Sequence, residues 1–189
     1  MKTKNYVLLF IALFVSSAIY AQTFKANIEK TELKWTGKKV TGQHQGQIKL
    51  QSGNLNLKDG KIVGGNFVID MNSITDEDLT DAGYNQKLIG HLKSDDFFGV
   101  EKFPTATLSI TEATTFTGNL ANVKANLTIK GITNPIEFTV NRNGNIYTSN
   151  IAVNRAKYDV RYGSGTFFQN LGDKVIDDIF TLDVKLVVE

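Results

Sequence analysis

The chain has 189 residues, 21 Lys and Arg against 19 Asp and Glu, two histidines and no cysteine. A chain of this length ordinarily forms one domain with a substantial core. The missing cysteine excludes disulfides, thiolate metal centres, iron–sulfur clusters and a lipid-modified N-terminal cysteine.

Lys2 and Lys4, the apolar run Tyr6 to Val15 and the small residues leading to Ala21 predict a secretory signal over residues 1–21. The apolar run is only about half of the ~20 residues that a spanning helix needs. Taking Lys2 and Lys4 from the 21 basic residues leaves 19 against 19 acidic ones, so residues 22–189 carry no net charge. A neutral chain has no global electrostatic reason to bind nucleic acid or an anionic membrane surface. No later apolar run reaches spanning length, so no integral membrane segment is expected after the signal. Export without disulfides suits a bacterium, and the expected location is periplasmic or secreted.

Towards the N-terminus, Leu33 and Trp35, Ile48 and Leu50, Leu55 and Leu57, and Phe67, Ile69 and Met71 read as strands. Gly42, Gly46, Gly53 and Asp59-Gly60 separate them. Alternation then stops, and Tyr84, Leu88, His91 and Leu92 fall at helical spacing, which predicts a short helical insertion around residues 79–98. Asp76, Glu77, Asp78 and Asp81 precede it and Lys93 closes it, in keeping with the helix dipole. A second helical turn capped by Ser94 is expected at residues 94–98.

Strands resume at Ala106, Leu108 and Ile110. The clearest signal follows, where Ala121, Val123, Ala125, Leu127 and Ile129 alternate with Asn122, Lys124, Asn126, Thr128 and Lys130. Gly131 to Pro135 reads as a turn before Ile136, Phe138 and Val140, and Asn143-Gly144 marks a hairpin into residues 145–153. Phe180, Leu182, Val184, Leu186 and Val188 complete the pattern. An antiparallel meander this long is expected to close, and a barrel of about eight strands is just wide enough for side chains or one ligand. Ala106, Ala121, Ala125 and Ser149 are small enough to leave room inside, although small residues also fit the taper of a filled barrel.

Gly90-His91-Leu92-Lys93-Ser94-Asp95-Asp96-Phe97-Phe98, continuing from Val100 to Thr107, resembles the signature of the YceI-like family. Residues 127–133 with Pro135, residues 155–163, and residues 67–71 with Ser73-Ile74 resemble it too, in the same order, from about Thr31 to Glu189. Gly99 departs from the acidic residue common in the family. The resemblance implies an all-β, lipocalin-like antiparallel barrel over residues 22–189, exported to the periplasm. It also implies an elongated apolar cavity for a polyisoprenoid chain, such as a polyprenyl-pyrophosphate or an isoprenoid quinone, held for transport or storage. The family fixes the fold better than the ligand, since one barrel supports many occupants.

On this reading the candidate cavity wall comprises Trp35, Phe67, Ile69, Met71, Phe97, Phe98, Leu108, Ile110, Ala125, Leu127, Phe138, Ile151, Phe168, Phe180 and Leu182. Candidate headgroup residues are His91, Arg155, Tyr158, Arg161 and Tyr162. Two guanidinium groups beside phenols can bind pyrophosphate at a barrel mouth, or pair with Asp159, Asp173, Asp177 or Asp178. His44, in a polar stretch, is expected to be solvated, and no ligand spacing in the sequence marks a metal site. Asp76-Glu77-Asp78 lacks the glycine and distal glutamate of a calcium loop, so it reads as a solvated helix start. Gly163-Ser164-Gly165 lacks the spacing of a nucleophile elbow, and no catalytic residue or cofactor is expected. The competing reading is a structural or stress-protective secreted barrel without lipid. Nothing in the sequence marks a homodimer, which stays open.

Overall fold

The computed structural model describes residues 21–189; the expected signal lies outside them, except for Ala21. Its strands run β1 (Gln22–Lys25), β2 (Glu32–Lys39), β3 (Gly42–Lys58), β4 (Lys61–Asp70), β5 (Thr105–Ala113), β6 (Leu120–Ile129), β7 (Ile132–Asn143), β8 (Ile146–Asn154) and β9 (Ile179–Val187). One α-helix, α1 (Ala82–Lys93), lies between β4 and β5. Neighbouring strands pair antiparallel around the sheet, while β2 pairs with β9 and β3 with β4, so β2 to β9 close into an eight-stranded, lipocalin-like barrel.

Alternation sets which face looks inward. In β6, Ala121, Val123, Ala125, Leu127 and Ile129 are buried, and their alternating partners point outward. The same rule buries Leu33, Leu50, Phe67, Val140, Ile151 and Val153, and the interior forms two apolar clusters along the barrel. Two-residue turns with positive φ join the strands, at Asp59-Gly60 between β3 and β4 and at Lys130-Gly131 between β6 and β7.

Two expectations from the sequence are corrected. Gly46 and Gly53 do not end strands, because β3 runs unbroken for 17 residues. They mark close approaches instead: a Cβ at Gly46 would lie 1.9 Å from the Thr75 carbonyl oxygen, and one at Gly53 would lie 2.5 Å from the Phe67 ring. Residues 132–135 are likewise strand rather than turn, with Pro135 opposite Asn126 in the β6–β7 ladder. A proline is tolerated there because β8 leaves this stretch of β7 unpaired. The β7–β8 ladder holds only Asn141–Thr148, Arg142–Tyr147 and Asn143–Ile146. Beyond it, Ser149 Oγ donates to the Thr139 carbonyl at 2.8 Å and Asn134 Nδ2 to the Lys157 carbonyl at 3.0 Å.

The helix is shorter and less amphipathic than its spacing predicts. Asp81 caps it by accepting from Tyr84 N at 2.9 Å. Leu92 is buried and Leu88 and His91 half-buried, whereas Tyr84 is 65% exposed under the Lys87 ammonium. Residues 95–98 form turns rather than a helix.

Gly46 also predicts a cost. Gly46→Ala drives a methyl group into backbone that cannot retreat, because Thr75 N donates to Gln47 O at 3.0 Å and Trp35 Nε1 to Thr75 O at 3.0 Å. We expect a loss of about 3 kcal/mol in urea unfolding, the upper part of the overpacking range, with a shift in the emission of the single tryptophan.

Candidate functional site: an apolar cavity along the barrel

The interior is not filled by its own side chains. A cavity of about 190 Å³ lies towards α1, and a second of about 110 Å³ continues towards the β3–β4 and β7–β8 turns. Ile69, Leu127, Val153 and Leu182 line both, so the two spaces lie end to end against the same four side chains.

Trp35, Met71, Phe97, Phe98 and Phe180 wall the α1 half. Phe67, Leu108, Ile110, Phe138 and Ile151 wall the other. Two of the candidate wall residues stand elsewhere. Ala125 is buried and faces inward without lining either half, and Phe168, on the segment after β8, is 48% exposed. The sequence reading missed Ile48, Ile74, Ile136 and Val153, although β3 and β8 alternate well enough to place Ile48 and Val153 inside.

Polar side chains gather at the α1 end, where Lys38, Lys39, His44 and His91 join the lining. His91 stacks edge-on against Tyr162 at 4.3 Å and Phe97 at 5.4 Å between ring centres. Arg155 also lines this end, yet it is 2% exposed and four of its five donors are already used. Its Nε donates to Asp177 O at 3.0 Å, Nη1 to Val160 O at 3.0 Å and Tyr162 O at 2.8 Å, and Nη2 to Ile176 O at 3.0 Å. Asp178 Oδ1 lies 3.5 Å from Nη2. Burial works to raise the Asp178 carboxyl, but hydroxyl donors on Ser164 and Thr166 and the Arg155 charge hold it below its ordinary value. Arg155 therefore spends four of its five N–H donors on tying the β8–β9 connection together, and its remaining Nη2 hydrogen lies beside the Asp178 carboxylate.

The remaining headgroup candidates do not converge on the cavity. Tyr158 is 1% exposed with its hydroxyl buried and unpartnered, and burial pushes that phenol up. Arg161 pairs outside with Asp159, and Tyr162 is 47% exposed.

The opposite end is finished by a residue the sequence did not single out. The Arg142 guanidinium lies 5.9 Å from the Phe116 ring centre and 5.7 Å from that of Tyr147, and it donates to Gly144 O and Gly60 O. At the α1 rim, two expectations fail. His44 is not simply solvated, since its Nδ1 sits 2.8 Å from Asp78 Oδ2, and Asp76 is buried rather than part of a wet helix start. These partners are more than thirty residues apart, so no local spacing could reveal them.

A model of the YceI-like domain matches residues 24–188. Among solved structures, BcnA of Burkholderia cenocepacia superposes with a TM-score of 0.68 at 22% identity, over 87% of this chain and 99% of that one. A polyisoprenoid binding domain from Saccharophagus degradans gives 0.58 at 16%, over 88% and 97%. The YCEI protein of Campylobacter jejuni gives 0.53 at 15%, over 99% of both chains. At these identities the likeness is one of fold. No curated protein matches the chain.

The Arg155 tie generates a prediction with a defined pH window. Arg155→Lys keeps the charge but loses the fork, and should lower the unfolding free energy by about 3 kcal/mol. Asp178→Asn should lower the melting temperature at pH 7. A carboxylate with a depressed native pKa stabilises above its unfolded value of about 3.8 and loses that effect as pH falls through the native value. In calorimetry the difference from wild type should therefore shrink as pH falls from about 3.8 and vanish once the native carboxyl is protonated.

Proposed function

The chain belongs to the YceI-like domain family, and from that membership and the shape of its interior we propose that it binds a long isoprenoid lipid with the tail inside the barrel. The observation that carries this is the pair of apolar spaces set end to end, which share Ile69, Leu127, Val153 and Leu182 and are polar at one rim. The ligand class is supported by the Saccharophagus degradans relative, which is named as a polyisoprenoid binding domain. A flexible isoprenoid suits narrow spaces set end to end, and each buried CH₂ contributes about 0.8 kcal/mol.

The headgroup of a polyprenyl-pyrophosphate or a quinone belongs at the α1 rim, where Lys38, Lys39 and His91 offer donors. This moves the headgroup role from Arg155 and Arg161 to the β2–β3 hairpin and α1. Trp35, Phe97, Phe98 and Phe180 would hold the first isoprene units, and Phe67, Leu108, Ile110 and Phe138 the distal ones. Lys2, Lys4 and the apolar run to Val15 support export, and an exported carrier of isoprenoids serves transport or storage in the periplasm. The reading assigns a binding role and no reaction.

Organic extraction of the purified protein followed by mass spectrometry should yield one long-chain isoprenoid per chain. An empty extract, with no gain in melting temperature on adding polyprenols, would sink the proposal. Leu127→Trp adds bulk where the two spaces meet and should weaken binding of a long polyprenol at least tenfold while sparing a short prenyl alcohol. Equal loss of both ligands would show that the two halves do not act as one tunnel.

A further inference from the structure

One group of ligating side chains at the α1 rim is built with more order than a lipid mouth needs. Thr75 N donates to Gln47 O and Glu77 N to Gln45 O, which laces residues 75–77 along the strand that carries His44. Asp78 is fixed at both oxygens, Oδ1 accepting from Gln45 N at 2.7 Å and Oδ2 facing His44 Nδ1 at 2.8 Å. Asp76 is held through Oδ1, which accepts from Leu79 N at 2.9 Å and Asn85 Nδ2 at 3.1 Å.

The other oxygen of Asp76 is the anomaly. Asp76 is 8% exposed, and its Oδ2 is buried with no hydrogen-bond partner. An uncompensated buried carboxylate is costly unless it is protonated or coordinates a cation. His44, Asp76 and Asp78 each offer one ligand atom within 4.8 Å of the others, so a cation among them would reach the Asp76 carboxylate and offset its charge.

We propose that His44, Asp76 and Asp78 form a site for a divalent transition-metal ion, Zn²⁺ by preference, at the rim of the barrel. One imidazole nitrogen and two carboxylate oxygens suit Zn²⁺, whereas Ca²⁺ and Mg²⁺ favour oxygen ligands alone. Bonds of about 2.0–2.2 Å in tetrahedral geometry set ligand atoms roughly 3.3 Å apart, so the His44–Asp78 pair opens by about half an ångström to admit the ion. The ion takes the place of the proton between those two groups, and that proton leaves to solvent. Three protein ligands leave a fourth position for water or a ligand oxygen. The site stands on its own geometry, whether or not the cavity holds a lipid.

The test is titration of chelator-stripped protein with Co²⁺ and then Zn²⁺. The expected result is one Co²⁺ per chain with the visible absorption of a four- or five-coordinate ion, abolished by one equivalent of Zn²⁺, and a Zn²⁺-dependent rise in melting temperature. His44→Gln and Asp76→Asn should each weaken the metal at least tenfold, and Glu112→Gln, an exposed carboxylate on β5, should leave it unchanged. If the wild-type chain gives no Co²⁺ absorption at stoichiometric metal, the orphan oxygen is satisfied by a proton shared with Asp78, and the proposal falls. Absorption that persists in folded His44→Gln and Asp76→Asn, with folding checked by circular dichroism, overturns it as well.

Discussion

A sheet that ends leaves rows of unpaired backbone donors and acceptors, and the whole fold depends on removing both edges. β3 does most of this. Its first part pairs with β2, its last four residues before Lys58 pair with β1, and its opposite edge carries β4. Register shifts between Leu50 and Ser52 and between Asn56 and Leu57 let so long a strand follow the curve of the wall. Closing on eight strands fixes a bore near the threshold between a packed core and a cavity, so the volume of inward side chains decides which results. Ala106 occupies an inward position on the wall of the α1 half, where a larger residue would take up the space.

The two ends of that bore are finished by different chemistry. At the turn end, one arginine lies over two aromatic rings. At the α1 end, long connections must be anchored before they can shape a mouth, and buried polar groups provide the anchors: Trp35 holds Thr75, and Arg155 gathers four carbonyls of the β8–β9 connection. A guanidinium bonded to four carbonyls ties the loop to itself, while the lysine and imidazole side chains that line the cavity at this end, Lys38, Lys39 and His91, come from neighbouring elements.

Period-two alternation made the barrel legible, because each strand repeats the same inside-outside decision. β6 shows five such decisions in a row and every one holds. Much of the cavity wall was legible for the same reason, from Trp35 to Leu182, although Ala125 faces inward without lining it and Ile48, Ile136 and Val153 on neighbouring strands were missed. Legibility ended where position depends on which loop folds back on which strand. Phe168 and Arg161 carry suitable chemistry yet stand outside the bore, and His44 meets Asp78 only because the β4–α1 connection returns to β3. Gly46, read as a break, was the trace of that return, since a residue without a side chain records the approach of another backbone.

The short ladder between β7 and β8 gives the wall a mechanical grain. A cylinder with continuous pairing resists widening equally at every line along its surface, but here three residue pairs at the turn end act as a clasp and the rest of the line is crossed by side chains. Spreading that line breaks a few side-chain hydrogen bonds and no further rung of backbone pairing, so it is the direction in which the barrel yields first. Pro135 stands on this line with no N–H to offer, which keeps a foreign strand from completing the ladder in place of β8.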